Sequence, residues 1–333
     1  MVGKRETLGA MATSKEFLMF PLILGTIFLI TFSYKWDSRQ KQISQTVQQQ
    51  QHERKMLIRK MCNENEKLGV KSTKDGINKN LIVDDTHRII YCFIPKVACT
   101  NWKRIMFILR CGKPYPDPIT IDPSLVHGQN KFNVLKNWKY QKTFTHFTED
   151  QLKNYTKFLF VRDPFVRLIS AYRDKFQYKE SNQYFYQNFG RVMLKLYANQ
   201  SDPPNTMKEA HALQKLPSFQ HFIQYLLDPR TEKEEAFDIH WRQMHRLCHP
   251  CLIDYDFIGH QETLQEDARV LLRMLKLEDE VEFPPTENNM TTSDSVSDWF
   301  RTVPLEDRRR LYELYEEDFR LFGYRRPADL LDE

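Results

Sequence analysis

Short apolar runs alternate with amphipathic stretches along most of this chain. Residues 88–94, RIIYCFI, are β-branched and aromatic and predict a strand, alone or as the second arm of a hairpin begun by LIVDD. The run breaks at Pro95-Lys96. Trp102, Ile105, Met106 and Leu109 then recur at helical spacing. Residues 157–161, KFLFV, are apolar enough for a strand buried on both faces. Arg162-Asp163-Pro164 stops that run. PFVRLISAYRDKF follows as a predicted helix, with Pro164 at its first position, where a missing N–H costs nothing. DYDFIGH (254–260) predicts a third strand, and helices are expected over 218–227, 240–248, 262–277 and 305–322, the last closed by Gly323. Strands separated by helices predict an α/β fold: a central parallel sheet flanked by helices, over residues 81–333.

The N-terminal part has another pattern. Phe17 to Tyr34 carries no charge, and its 18 residues would span roughly 27 Å as a helix, close to the hydrocarbon thickness of a bilayer. No small-residue cleavage site follows, so an uncleaved signal-anchor is expected rather than a removed signal peptide. Residues 1–16 would be a short tail, a cytoplasmic tail where the C-terminal part is lumenal. Lys and Arg number three on each flank, which leaves the orientation open. Residues 35–80 are polar and Gln-rich; they predict a stem that buries no core.

The net charge of +5 is too small to argue for a nucleic-acid partner and suits an anionic substrate equally well. Asn154, Asn199 and Asn289 head N-x-[ST] sequons. The six cysteines allow disulfides, either local to the Cys248-His249-Pro250-Cys251 motif or as two pairings elsewhere. That C-x-x-C lacks a second ligand pair, and no metal site is expected. Asp254-Tyr255-Asp256 formally matches the D-x-D of metal-dependent glycosyltransferases, a reading nothing else in the chain supports.

The chemistry lies in two strand–turn–helix units. The first turn holds Lys96, with Thr100 expected at the helix N-cap. The second holds Arg162, with Ser170 on the following helix. In a parallel sheet both turns fall at the C-terminal strand edge, where ligands bind. Loop N–H groups and a positive helix N-terminus make each a candidate anion cradle. No G-x-x-x-x-G-K-[ST] is present, which excludes a Walker-type triphosphate site. Two separated cradles suit a nucleotide with phosphates at its 5′ and 3′ positions.

IPKVACTNWKR closely resembles the 5′-phosphosulfate loop of the Golgi carbohydrate sulfotransferases related to the HNK-1 sulfotransferase, and FLFVRDPFVRLISAYRDKF resembles their 3′-phosphate motif. LCHPCLIDYDFIGHQETLQEDA and LYELYEEDFRLFGYRRP are also similar to this family, within which the chondroitin 4-O-sulfotransferases are most alike. The resemblance covers roughly residues 80–330. It implies a P-loop-like three-layer fold, type II Golgi topology with a lumenal catalytic domain, and PAPS (3′-phosphoadenylyl sulfate) as sulfuryl donor, with no metal required. The implied acceptor is the 4-hydroxyl of N-acetylgalactosamine in chondroitin or dermatan; N-glycan terminal N-acetylgalactosamine and HNK-1 glucuronate are the alternatives. Lys96 matches the catalytic lysine of the family. Lys96, Val97, Ala98, Cys99, Thr100, Asn101 and Trp102 would form the 5′ site, with Trp102 either stacked on adenine or anchored in the core. Arg162, Asp163, Pro164, Phe165, Val166, Arg167, Leu168, Ile169 and Ser170 would form the 3′ site. His127 is the candidate general base, with His146 as competitor. Lys103, Arg104, Arg167, Arg173 and Lys175 are candidate contacts for a polyanionic acceptor.

Overall fold

The computed structural model describes residues 15–65, 80–127, 149–177, 182–233, 235–285 and 296–332, with side chains described from residue 29 onward apart from a few positions before residue 45. The chain divides into two compact units, residues 1–49 and 50–333. In the first, the backbone is helical from Lys15, within a helix (α1) that runs Lys15–Glu64. Among the described residues no helix is long and apolar enough to cross a membrane. The expected anchor at 17–34 falls mostly on positions whose side chains lie outside the described set.

The second unit is built on four strands, β1 (Leu81–Asp84), β2 (Ile89–Cys92), β3 (Thr156–Val161) and β4 (Phe257–His260), in the order β1-β2-β3-β4. β2, β3 and β4 are parallel, in the register Tyr91↔Phe158↔Phe257. The expected central parallel sheet becomes mixed at its edge through the hairpin that LIVDD left open: β1 pairs antiparallel with β2, because the link 85–88 is too short for a crossover and can close only a hairpin. Asp84 fastens that hairpin: its carboxylate accepts from the Thr86 N–H (2.9 Å) and from His87 Nδ1 (2.7 Å).

Helices α2 (Cys99–Ile108) and α3 (Pro123–His127) lie between β2 and β3. α4 (Pro164–Tyr172) follows β3 and continues as a π-helical turn, Arg173–Gln177. Further along the chain come α5 (Phe219–Leu227), α6 (Leu264–Met274) and α7 (Leu305–Leu321). The expected helix over 240–248 is confined to Met244–Cys248, with turns before it.

Two apolar masses hold these layers. Trp102 of α2 is fully buried among Phe158, Phe160 and Phe283, its ring centroid 4.9–5.0 Å from theirs. The placement corrects one expectation: Trp102 is a core anchor with no face left for adenine. Gly259 of β4 is required here, since a Cβ would sit 2.1 Å from the Phe160 ring. On the other side, Phe165, Leu168, Ile169 and Tyr172 of α4 pack with Phe222 of α5, Trp241, and Leu311, Tyr315 and Phe319 of α7.

Part of the Gln-rich segment belongs to this unit, contrary to its reading as a coreless stem. Gln51 caps the backbone of Ile258 in β4 through both its amide groups (2.8 Å each). Arg54 pairs with the buried Asp267 of α6 (3.0 Å), and Ile58 is buried. These polar side chains bind β4 and α6 directly, so composition alone misjudged them.

The cysteines pair as Cys62–Cys251 and Cys92–Cys248, with Cys99 and Cys111 free. The C-x-x-C motif thus sends its two sulfurs to different partners, its halves diverging at His249 (φ 48°). Cys92 and Cys248 are wholly buried and tie β2 to the Met244–Cys248 helix. Replacing both with alanine should lower unfolding stability by about 2–5 kcal/mol, measured by urea denaturation under non-reducing conditions.

Candidate active site

The site lies at the C-terminal edge of β2 and β3. After β2 the chain turns sharply, with Lys96 at φ 71° and Ala98 at φ 47°. Two left-handed non-glycine residues in one turn are costly and must be held from outside. Val97, fully buried between them, supplies one hold. Two arginines supply the others. Arg162 Nη1 donates to the Lys96 carbonyl (3.1 Å), and Arg167 Nε donates to the Pro95 carbonyl (3.0 Å). The N-cap of α2 is Ala98, not the expected Thr100, and it offers no side-chain acceptor. The first-turn N–H groups of α2 are therefore left without a side-chain cap, as an anion site requires.

The second turn is built differently. The Asp163 carboxylate caps α4, accepting from the N–H groups of Phe165 (2.9 Å) and Val166 (3.0 Å). Its pKa is nonetheless raised, because burial outweighs those bonds. Arg162 is 5 % exposed, and burial lowers its pKa without neutralising an arginine. Ser170, half-buried, sits two turns into α4.

Between the turns lies a charge cluster. Lys96 Nζ is 3.2 Å from Asp174 Oδ2, and Lys175 Nζ is 3.1 Å from the same oxygen. Burial lowers the Lys96 pKa, and Asp174 opposes the shift. The Lys175 ammonium sits 4.5 Å over the Phe185 ring, which makes a T-shaped pair with the His240 ring (centroids 5.2 Å apart). His240 Nδ1 is 2.6 Å from Asp238 Oδ1. His127, at the end of α3, places Nε2 2.9 Å from the Thr100 hydroxyl. Its pKa is pushed down to about 4 by desolvation and by nearby Lys103 and Lys175. The imidazole is therefore neutral at neutral pH.

A family model described as the sulfotransferase family matches residues 79–325. The chain belongs to that family. Carbohydrate sulfotransferase 12 of Mus musculus is 48% identical over 312 residues, covering 90% of this chain and 74% of the relative. Its Xenopus laevis counterpart is 46% identical over 315 residues, with the same coverage of each chain. Carbohydrate sulfotransferase 11 of Rattus norvegicus is 38% identical over 250 residues, 75% of this chain and 68% of the relative. No solved structure matches the chain.

Several side chains of the sulfotransferase's two motifs are occupied by packing or by backbone contacts. Phe165, Val166, Leu168 and Ile169 are buried, and the first, third and fourth of these pack in the α4 core. Arg167, expected as a cofactor or acceptor contact, is 1 % exposed. Its guanidinium donates to three carbonyls, Pro95, Ile239 (2.9 Å) and Arg242 (2.8 Å). It therefore works on the site through backbone. Arg104 is likewise held by the Ile121 carbonyl (2.8 Å), and Lys103 lies 3.8 Å over the Phe93 ring. Lys175 does join the site.

Asp174, Asp238 and His240 were not singled out from sequence. Asp174 was visible as the one acid in YRDKF, but only the π-helical turn aims it at Lys96. His240 opens the helix expected over 240–248, whereas it lies in the turns before the Met244–Cys248 helix. Asn154 and Asn199 are exposed; Asn289 and His146 lie outside the described residues. The D-x-D triplet precedes β4, at the opposite end of the sheet from Lys96, with Asp256 paired to Lys157 (3.0 Å) and Asp254 to Arg59 (3.1 Å).

Proposed function

We propose that this sulfotransferase transfers the sulfuryl group of PAPS to the 4-hydroxyl of N-acetylgalactosamine in chondroitin or dermatan. The observation that carries the reading is the pairing of the two turns. Parallel, adjacent β2 and β3 put Lys96 and Arg162 side by side, joined by the 3.1 Å bond from Arg162 to the Lys96 carbonyl. A donor with phosphates at 5′ and 3′ needs two such cradles on one edge. The uncapped first turn of α2, with Lys96, Thr100 and Asn101, suits the 5′-phosphosulfate; Arg162 and Ser170 suit the 3′-phosphate.

In this reading the acceptor oxygen attacks sulfur in line as the bond to the 5′-phosphate breaks. Negative charge grows on the sulfuryl oxygens and the leaving phosphate. Lys96, already fixed before the donor arrives, stabilises it. Lys175 extends the positive field toward a polyanionic acceptor. Similarity to carbohydrate sulfotransferases 12 and 11 supports a carbohydrate acceptor. We read the fold as P-loop-like and three-layered. The uncharged segment 17–34 supports a type II Golgi anchor with the catalytic unit in the lumen.

Incubation with PAPS carrying radiolabelled sulfate and with chondroitin, desulfated dermatan or an HNK-1-type glycan, followed by disaccharide analysis, tests the reading. Label should appear on the 4-hydroxyl of N-acetylgalactosamine. Label at any other position would overturn the acceptor assignment.

A further inference from the structure

We propose that His240, held by Asp238, is the general base that removes the proton from the acceptor hydroxyl. The inference rests on the sulfuryl-transfer reading and names a residue of that same site.

Three features of the structure converge on it. The first is the hydrogen bond between His240 Nδ1 and Asp238 Oδ1, at 2.6 Å. Burial pushes the Asp238 carboxyl up, but hydrogen bonds from the His240 ring and backbone N–H and the charge of Lys175 counter it; the net pKa is lowered and the group is a carboxylate. A carboxylate only accepts, so Nδ1 carries the proton and Nε2 keeps its lone pair. Among the described residues Nε2 takes no hydrogen bond.

The second feature is position. His240 makes a T-shaped pair with Phe185, whose face carries the Lys175 ammonium, and Lys175 shares Asp174 with Lys96. Arg167 fixes the relation between the two loops. One planar guanidinium holds the carbonyls of Pro95 and Ile239, the residues immediately before Lys96 and His240. Leaving-group lysine and imidazole are thus mounted on a single buried bracket.

The third feature is the state of the ring. Burial, Lys175 and Lys96 lower the His240 pKa against the pull of Asp238, which leaves it neutral and able to accept a proton. His127 is also neutral, but its Nε2 is engaged by Thr100.

The step balances. The acceptor O–H bond breaks and its proton goes to His240 Nε2. The acceptor oxygen forms the new O–S bond, and the S–O bond to the 5′-phosphate breaks. Its electron pair leaves with adenosine 3′,5′-bisphosphate, beside Lys96. The imidazolium is steadied by Asp238 until it returns the proton to water.

The test compares His240→Gln, Asp238→Asn and His127→Gln in the full chain. Sulfuryl transfer is read as kcat and KM, and binding of adenosine 3′,5′-bisphosphate by calorimetry. His240→Gln should lower kcat by about 10²–10⁴-fold, with bisphosphate affinity within about threefold of wild type. Asp238→Asn should lower kcat with the same unchanged affinity. A His240→Gln enzyme that binds the bisphosphate normally and keeps kcat within about threefold would overturn the assignment. So would a larger kcat loss in His127→Gln than in His240→Gln. Failure of the wild-type chain to transfer sulfate to any carbohydrate would instead overturn the function on which this rests.

Discussion

Replacing Lys96 with alanine should lower sulfuryl transfer by about 10²–10³-fold, the usual cost of removing one fixed donor from a developing anion. The fold should survive. The Lys96 side chain is 21% exposed and adds nothing to either apolar core. What holds the turn is backbone: the Pro95 and Lys96 carbonyls on Arg167 and Arg162, and the buried Val97. Asp174 keeps its second partner, Lys175, at 3.1 Å. The loss should therefore fall mainly on kcat, with the affinity for adenosine 3′,5′-bisphosphate reduced far less. Steady-state kinetics with PAPS and chondroitin, beside a calorimetric titration of the bisphosphate, separate the two. Lys96→Arg should not restore the rate, because a planar fork cannot occupy the place of a compact ammonium without displacing Asp174. Activity within fivefold of wild type in Lys96→Ala would refute the role assigned to this lysine.

Arg167→Met should be the most disruptive single substitution. The guanidinium is completely buried, and it donates to three backbone carbonyls from two loops. Methionine fills much of the volume but removes all three of those donations. Hydrogen bonds from a charged donor contribute about 1.5–3 kcal/mol each, and truncating a buried charged group typically costs about 3–5 kcal/mol. The relief of arginine desolvation keeps the net effect below the simple sum. We expect about 3–5 kcal/mol lost in urea unfolding and, in whatever fraction folds, a sharply reduced kcat, because Pro95 and Ile239 are no longer held together. Arg167→Lys should recover only part of the stability, since a lysine ammonium cannot match the fork that spans all three oxygens. A variant with wild-type stability would show that the bracket is not needed.

The strands and the principal helices of the catalytic unit were legible because their signals are local. KFLFV is apolar on both faces, as a central parallel strand demands, and Pro164 after Arg162-Asp163 marks a helix start in almost any context. The errors came where a residue's role depends on distant partners. Arg162 and Arg167 look equivalent in VRDPFVR, and both are buried and hold the Lys96 turn by its carbonyls, but Arg167 in addition ties in the carbonyls of Ile239 and Arg242. Trp102 read equally well as a stacking platform or a core anchor until Phe158, Phe160 and Phe283 were placed around it. The stretch from Gln51 to Cys62 looked coreless, because its value lies in Ile258, Asp267 and Cys251, about two hundred residues away.

By itself, then, the sequence determined the alternation of strand and helix, the two cationic turns, and membership of a sulfotransferase family through the residues of those turns. These follow from short-range patterns: period, capping, and the turn chemistry of adjacent residues. Only the tertiary structure decided which cations face the ligand edge, that β1 runs antiparallel, how Cys248 and Cys251 divide between two bridges, and that Asp174 and the Asp238–His240 pair stand beside Lys96. Each of those is a contact between segments remote in sequence, set by packing and by satisfying buried polar groups, and no local pattern encodes such partners.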